Sequence, residues 1–284
     1  MNSASDWFEQ STLKYNRGDY QGAIDDLTKA ISLRPDYAEA YYARGTLESY
    51  LKHFQAAIAD FTKTISLKPD LAEAYYNRGL ATYLLGDSQG ALADFTTAIS
   101  MRPNDARAYN NRGLAKSHLK DYQGAIADYT KAVNLKPDFA EAYFNRGSTK
   151  AFLEDYRGAI ADQTMAIGLE PDYAEAYFSR GSAKDYLKDH QGAIADHTKA
   201  ISLKPDIPEI YRKRGYAKVG VQDFQGAIAD YNKAISLQTD NAEAYKSRGT
   251  TYLMVRQKDK ALADFRKAIE LGDSVPQDIL DMCK

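Results

Sequence analysis

The sequence is poor in the features that mark secreted and membrane proteins. Its only cysteine among 284 residues is Cys283, so no disulfide can form within the chain. No stretch approaches the ~20 apolar residues that a membrane-spanning helix needs. The segment MNSASDWFEQ at the N-terminus has neither the basic start nor the apolar run of a signal peptide. We therefore expect a cytoplasmic protein that does not insert into a membrane.

The sequence also lacks an excess of charge of either sign. Its 37 lysines and arginines against 39 aspartates and glutamates leave a formal net charge of −2. Proteins that grip nucleic acid backbones normally carry a basic excess, because neutralisation of phosphates dominates that affinity. We therefore expect no nucleic acid partner.

What the sequence does contain is an internal repeat of 34 residues, marked by a recurring Arg-Gly pair such as Arg146-Gly147. Counted from Ala4, eight repeats follow one another without a gap: 4–37, 38–71, 72–105, 106–139, 140–173, 174–207, 208–241 and 242–275. Self-similarity at a fixed period of this length is the sequence signature of stacked-repeat proteins.

Each repeat carries two segments with helical periodicity. In the second segment of 140–173, apolar residues and Gln163 recur on one helical stripe. An aspartate opens most second helices (Asp19, Asp87, Asp121, Asp155, Asp189 and Asp223). For the first helices we predict capping boxes such as Asp172 with Glu175, repeated at Asp36, Asp70, Asp138, Asp206 and Asp240, with Asn104 as a cap alone. Prolines such as Pro171 close the repeats.

These features resemble the tetratricopeptide repeat over residues 4–275. The family's aromatic is Trp7 in the first repeat and Tyr in the others, and its alanine is present in all eight, from Ala23 to Ala261. The resemblance implies an all-α fold, a right-handed α-solenoid (superhelix) of antiparallel helix pairs with a concave groove, in one domain over 1–284. Residues 276–284 are predicted to form a short C-terminal capping helix. The glycine is expected to sit mid-helix, facing the alanine.

The arginine of the Arg-Gly pair has a periodic candidate partner in the second helix. The residues in phase are Asp26, Arg44, Asp60, Arg78, Asp94, Arg112, Asp128, Arg146, Asp162, Arg180, Asp196, Arg214, Asp230, Arg248 and Asp264. Because Gln10 takes the arginine place in the first repeat, pairing within a repeat would leave Asp26 alone. We therefore predict an inter-repeat ladder, from Asp26–Arg44 to Asp230–Arg248, that sets stacking register. A ligand-contacting role for these arginines is the alternative.

The resemblance also implies that ligands lie in the groove formed by the first helices. The predicted groove residues are Phe8, Tyr42, Tyr76, Asn77, Asn110, Asn111, Phe144, Asn145, Phe178, Arg212, Lys213 and Lys246, and Tyr15, Tyr50, Tyr83, His118, Phe152 and Tyr186 can reach the same surface. The asparagine amides offer a donor and an acceptor to a peptide backbone. For any single aromatic, packing between repeats is the alternative.

The predicted function is that of a protein–protein interaction scaffold or adaptor that binds an extended peptide segment of a partner. An acidic stretch of that partner is expected near Arg212 and Lys213. Self-association into homo-oligomers through terminal repeats is the alternative function. Whether the groove ligand is a partner or the protein's own termini is left open.

Enzymatic activity is a remote alternative. His190 and His197 are seven residues apart, but other repeats carry aromatic residues at both places, so we interpret them as core substitutions. No Ser–His–Asp or Cys–His set has a spacing typical of catalysis. We expect no catalytic residues, no metal site and no cofactor.

Overall fold

The computed structural model of the protein describes residues 2–283, which form the helices α1–α17 and no strand. By the density of its internal contacts the chain divides into two compact units, one ending at Pro137 and one beginning at Asp138. Met1 and Lys284 lie outside the described residues, and so do the outer limits of the domain predicted over 1–284 and the last residue of the cap predicted over 276–284. The single domain stays a prediction.

Helix pairs build both units. The first unit contains α1 (Ala4–Asn16), α2 (Tyr20–Leu33), α3 (Ala38–Tyr50), α4 (Phe54–Leu67), α5 (Ala72–Leu84), α6 (Ser88–Met101), α7 (Ala106–His118) and α8 (Tyr122–Leu135). The second contains α9 (Ala140–Phe152), α10 (Tyr156–Leu169), α11 (Ala174–Tyr186), α12 (His190–Leu203), α13 (Pro208–Gly220), α14 (Phe224–Leu237), α15 (Ala242–Met254), α16 (Lys258–Glu270) and α17 (Gln277–Asp281). Each predicted repeat holds one pair, so the predicted all-α solenoid of antiparallel helix pairs is confirmed.

The second helices begin where the aspartates predict. Six aspartates are N-caps whose side chains accept a hydrogen bond from the backbone N–H of a glycine three residues on: Asp19, Asp87, Asp121, Asp155, Asp189 and Asp223. The helices also end before the prolines, as α2 does at Leu33 ahead of Pro35.

The predicted capping boxes of the first helices are wrong. The helices start one residue later than Asp36, Asp70, Asp138, Asp172 and Asp206 predict, and the actual N-caps are Tyr37, Leu71, Phe139, Tyr173 and Ile207, which make no side-chain cap bond. The Tyr37 and Tyr173 rings instead pack on Phe8 and Phe144, with centroids 5.2 and 4.9 Å apart. Apolar packing therefore sets these helix starts. Where the residue is polar, at Asp105 and Asn241, its side chain does cap.

Close packing of the two helices in a repeat relies on the small residues. The eight alanines of the repeat are fully buried: Ala23, Ala57, Ala91, Ala125, Ala159, Ala193, Ala227 and Ala261. A Cβ on Gly45 would lie 3.0 Å from the Phe61 ring and 3.1 Å from Cβ of Asp60. The glycine thus permits the predicted close approach, but the residues nearest to it are the aromatic and the aspartate of the second helix, not the alanine.

The arginines pair with the aspartates of their own repeat, so the predicted inter-repeat pairing is wrong. Nε and Nη2 of Arg44 donate to the two carboxylate oxygens of Asp60 at 2.8 and 2.7 Å. The same fork joins Arg78–Asp94, Arg112–Asp128, Arg146–Asp162, Arg180–Asp196, Arg214–Asp230 and Arg248–Asp264. The close helix approach at the glycine brings the adjacent arginine onto the aspartate of the partner helix.

Asp26 shows why the first repeat misled the prediction. Its side chain is fully buried, and Nζ of Lys14 lies 2.6 Å from Oδ2 while Nζ of Lys29 lies 3.1 Å from Oδ1. Lys14 stands one turn after Gln10 on α1. The first repeat therefore supplies its own cations, and Asp26 needs no arginine from the next repeat.

A different nitrogen of the same guanidinium links successive repeats. Nη1 of Arg44 donates to Oγ1 of Thr28 at 3.0 Å in the first unit. The same link joins Arg78–Thr62 in that unit, and Arg180–Thr164, Arg214–Thr198 and Arg248–Asn232 in the second. The arginine thus fixes both the helix pair and its register on the preceding repeat.

The short helix predicted at the C-terminus is present as α17. Ile279 and Leu280 pack with Val275 against Ala261 and Phe265 of α16. The helix therefore covers apolar surface of the last repeat.

Candidate functional site

The first helices of successive repeats meet along one face of each unit. In the first unit α3 lies against α5 and α5 against α7, and in the second α9, α11, α13 and α15 lie against one another in order. We call the surface that these helices leave open the groove face of the unit. It carries the residues predicted to bind a ligand.

In the first unit the predicted aromatics are half-buried and hold asparagines in place. Nδ2 of Asn77 donates to Oη of Tyr42 at 2.9 Å, and Nδ2 of Asn111 donates to Oη of Tyr76 at 2.9 Å. These bonds join successive repeats and occupy one donor of each amide. Burial raises the pKa of both tyrosines, which keeps the hydroxyl groups neutral acceptors.

Two other predicted residues of the groove face, Phe8 and Asn110, differ in how deeply they are buried. Phe8 is half-buried and packs on Tyr37. Asn110 is only 1% exposed, and its Nδ2 lies 3.4 Å from Oδ1 of Asn111. Its short side chain reaches less far than the tyrosines at the same place, so neighbours cover it. Asn110 is therefore not available to a ligand, and its predicted contact role is corrected.

In the second unit Phe144, Asn145 and Phe178 are half-buried on the groove face. The Phe144 ring packs on Tyr173, the N-cap of α11, and the Phe178 ring packs on His197 with centroids 5.6 Å apart. These rings thus contribute to packing as well as to the face. His197 itself is fully buried in the core, as expected for a core substitution.

The predicted basic end of the groove is largely neutralised by the chain itself. Arg212 forks onto Glu209 at 2.8 and 2.5 Å and lies 2.9 Å from Glu243. Lys246 donates to Asp273 at 3.0 Å. Within residues 2–283, Lys213 has no acidic group within ion-pair distance. Lys213 instead lines a cavity together with Asp185, whose pKa its charge lowers.

A row of exposed apolar side chains marks the last turns of the first helices at intervals of one repeat. Its members are Tyr50 and Leu84 in the first unit, 65% and 53% exposed, and Phe152, Tyr186 and Met254 in the second, 65%, 62% and 53% exposed. Large apolar side chains scattered singly on a surface need no explanation, whereas large contiguous apolar patches mark interaction sites.

Hollows are present among the predicted groove residues of both units. In the first unit a hollow of about 230 Å³ lies between Phe8, Tyr15 and Tyr42, above Leu27 and Leu47. In the second unit two hollows of about 290 and 410 Å³ share Arg212 and Tyr216. They run from α11 across α13 to α15, so the groove face of this unit is indented over successive repeats.

The sequence reasoning missed a buried carboxylate in the second unit. Asp185 is 7% exposed, and its Oδ1 lies 2.8 Å from Nδ1 of His190. Burial raises the pKa of Asp185. His190 is therefore a hydrogen-bond partner of Asp185 as well as a packing residue. The available signal was the absence of any other acid at this place of the repeat.

Family models of one repeat match most of the chain. Those described as tetratricopeptide repeat match residues 42–95, 106–139, 140–173, 174–207 and 212–278, and one described as TPR repeat matches 13–47. The chain is a tetratricopeptide repeat protein. Tetratricopeptide repeats are generally non-enzymatic scaffolds for protein–protein interaction. None of the curated proteins compared matches the sequence.

Solved structures share the fold of this tetratricopeptide repeat protein. MamA is 30% identical, with a TM-score of 0.54 over 56% of this chain and 93% of MamA. YrrB, described as a TPR protein with an unusual peptide-binding site, is 24% identical, with a TM-score of 0.56 over 63% of this chain and 92% of its own. A tetratricopeptide repeat protein from Parabacteroides merdae is 21% identical, with a TM-score of 0.65 over 87% of this chain and 98% of its own.

Residues 2–283 contain neither a cluster of metal-ligating side chains nor a helix that could span a membrane. No three or more histidine, cysteine, aspartate or glutamate side chains there lie together as ligands for a metal ion. None of the helices there combines the length and the hydropathy that a bilayer crossing requires.

Proposed function

We propose that the groove face of each unit binds an extended segment of a partner protein. The observation that supports this most directly is the row of exposed apolar side chains on the first helices, which includes Tyr186 and Met254. Burying such a side chain fully contributes about 1.5–3 kcal/mol. A segment that covers several members of the row would therefore bind without any strong polar contact.

The polar groups of the groove face would orient the segment. Tyr42 and Tyr76 hold the amides of Asn77 and Asn111, so these amides meet a ligand backbone in a fixed orientation. A preorganised hydrogen-bonding group loses less entropy on binding. Arg212 and Lys246 already have carboxylate partners, so little uncompensated positive charge is left there to attract an acidic residue of the partner.

The test uses a displayed library of random peptides selected on the full chain, followed by fluorescence anisotropy with the selected peptides. We expect Met254→Ser and Tyr186→Ser to weaken binding by about tenfold or more, since 1.4 kcal/mol corresponds to a factor of ten. The matched control is Met165→Ser on the second helix α10, because Met165 is 47% exposed and Met254 is 53% exposed.

Two outcomes would contradict the proposal. One is a selection that enriches no peptide, and the other is an equal loss of affinity in the control and in the groove variants. Light scattering at two protein concentrations covers the alternative function. A mass that rises with concentration, and that Met254→Ser returns to the monomer, would favour self-association.

A further inference from the structure

A cavity of about 290 Å³ between α11 and α13 of the second unit is lined by two residues whose buried oxygens lack hydrogen-bond partners. They are Oδ2 of Asp185 and Oγ of Ser182, one turn apart on α11. The Asp185 side chain is 7% exposed, and its other oxygen already pairs with His190. A buried acceptor left without a hydrogen bond destabilises the folded state, so this arrangement needs a reason.

The packing of the repeat does not supply that reason. At the place of Asp185 the other repeats carry Tyr15, Ser49, Tyr83, Ser117, Ala151, Val219 and Leu253. At the place of His190 they carry Tyr20, Phe54, Ser88, Tyr122, Tyr156, Phe224 and Lys258. Both places thus accept uncharged residues in neighbouring helix pairs of the same geometry. The carboxylate and the imidazole are a departure specific to this repeat.

The surroundings of the cavity select for a neutral ligand group. Lys213 and the exposed Lys188 line it, so a cation entering it would meet two like charges. An anion would meet the Asp185 carboxylate. The flanking rings of Tyr186 and Tyr216, 62% and 55% exposed, present flat apolar surface to whatever enters.

We propose that this cavity binds the primary carboxamide of a glutamine or asparagine side chain in the partner segment. A carboxamide has two N–H donors, which would serve Oδ2 of Asp185 and Oγ of Ser182, and one carbonyl, which would accept from Nζ of Lys213. Its flat group stacks on a tyrosine ring. This inference rests on the proposed function and names the side chain that the second unit selects.

The test uses small probes that need no peptide selection. N-acetylated methylamides of glutamine, methionine, lysine and glutamate are titrated into the ¹⁵N-labelled full chain, and the backbone amides of Ser182, Asp185 and Lys213 are followed by NMR. We expect the glutamine probe to shift these signals with a dissociation constant at least about tenfold lower than that of the methionine probe. Methionine has a similar length but leaves the buried acceptor unpaired.

A variant copied from the next repeat keeps the test independent of folding. Asp185→Val together with His190→Phe introduces the residues found at Val219 and Phe224, and it should abolish the preference for glutamine over methionine. Thr250→Ala, at the place in the eighth repeat that Ser182 holds in the sixth, is the matched control and should leave the preference unchanged.

The proposal is overturned if the lysine or glutamate probe binds most tightly, or if no probe shifts these amides. It is also overturned if the double variant keeps the preference. These results differ from a failure of the proposed function, which is read from displayed peptides and Met254→Ser. A peptide-binding groove without glutamine selectivity would refute only the carboxamide site.

Discussion

His197 is the residue through which we expect mild acid to destabilise the second unit. Its side chain is fully buried, and neither ring nitrogen has a hydrogen-bond partner within the described part of the chain. Burial lowers the pKa of His197 from 6.5 to about 4. Protonation would place a charge in the core, where the attraction of Asp196 is too weak to offset the hydration lost on burial.

The sign and size of the effect follow from that pKa. Between pH 6.5 and about 4 the unfolded chain binds a proton that the folded chain does not. The contribution of neutral His197 is therefore complete above pH 6.5, is lost as the pH falls towards 4, and stays constant below that. At 1.36 kcal/mol per pKa unit, the full loss is about 3 kcal/mol.

The substitution that tests this is His197→Phe, because other repeats carry phenylalanine at the same place. Phe61, Phe95 and Phe265 occupy the same place in other repeats. A Cβ on Gly181 would lie 2.8 Å from the His197 ring, and a Cβ on Gly249 would lie 2.8 Å from the Phe265 ring, so the local spacing suits either ring. At pH 7 we expect His197→Phe to stabilise by about 1–3 kcal/mol, because it removes unpaired buried nitrogens.

The assay is amide hydrogen exchange of α11 and α12 at pH values from 7 to 4.5, with urea unfolding by circular dichroism beside it. A stacked-repeat protein opens locally, so a local probe is preferable to one global midpoint. His118→Phe is the control, because it removes an exposed histidine. If wild type and His197→Phe lose equal stability between pH 6.5 and 4.5, the reasoning is refuted.

Three further predictions concern the framework. In a double-mutant cycle of Arg180 with Asp196, each single change should cost about 3–5 kcal/mol of stability, and the coupling energy should be about 1–3 kcal/mol. In the cycle of Arg180 with Asp162 of the preceding repeat, the two changes should be additive. Strong coupling in this second cycle would restore the inter-repeat ladder. Lys120→Gly should stabilise by about 1 kcal/mol in urea unfolding, since φ at Lys120 is 64°; a lower midpoint would contradict this. Asp121→Ala should destabilise by about 1 kcal/mol through the lost N-cap, and Asp121→Asn should lose much less; equal losses would point to charge instead.

The sequence predicted the helix pairs because their signals are local and repeated. An aspartate such as Asp121, with its bond to a backbone N–H three residues on, depends only on neighbouring residues. The caps of the first helices were placed one residue early because a tertiary contact decided them. Tyr37, the N-cap of α3, packs on Phe8 of α1, and no local pattern shows that contact.

The arginine partners could not be decided from phase alone. Arg44 follows Asp26 by 18 residues and precedes Asp60 by 16, and both separations recur along the chain, so the period alone does not choose between the two aspartates. The usable signal was Lys14, which stands where other repeats carry the second cation of the pair, as Lys116 does on Asp128. Reading it would have given Asp26 a partner within its own repeat.

The groove was predicted as a surface but not in its detail. Partners such as Glu209 for Arg212 and Asp273 for Lys246 depend on side-chain reach, so the charge left at the groove face could not be counted from the sequence. Asn110 was placed on the face by its position, yet its length lets neighbours bury it.

The polar departures from the repeat are concentrated in α10–α12 of the second unit. Gln163 and His197 replace apolar or aromatic residues at the same core place, Asp185 replaces uncharged residues beside the groove, and His190 stands where most other repeats carry an aromatic residue. In a stacked array each repeat contributes its own stability and that of its contacts, so these costs lower the stability of this segment locally. The other repeats show that the fold accepts different side chains at all four places. Local costs that the fold does not require are expected where a protein binds, which is why we assign ligand selectivity to this segment.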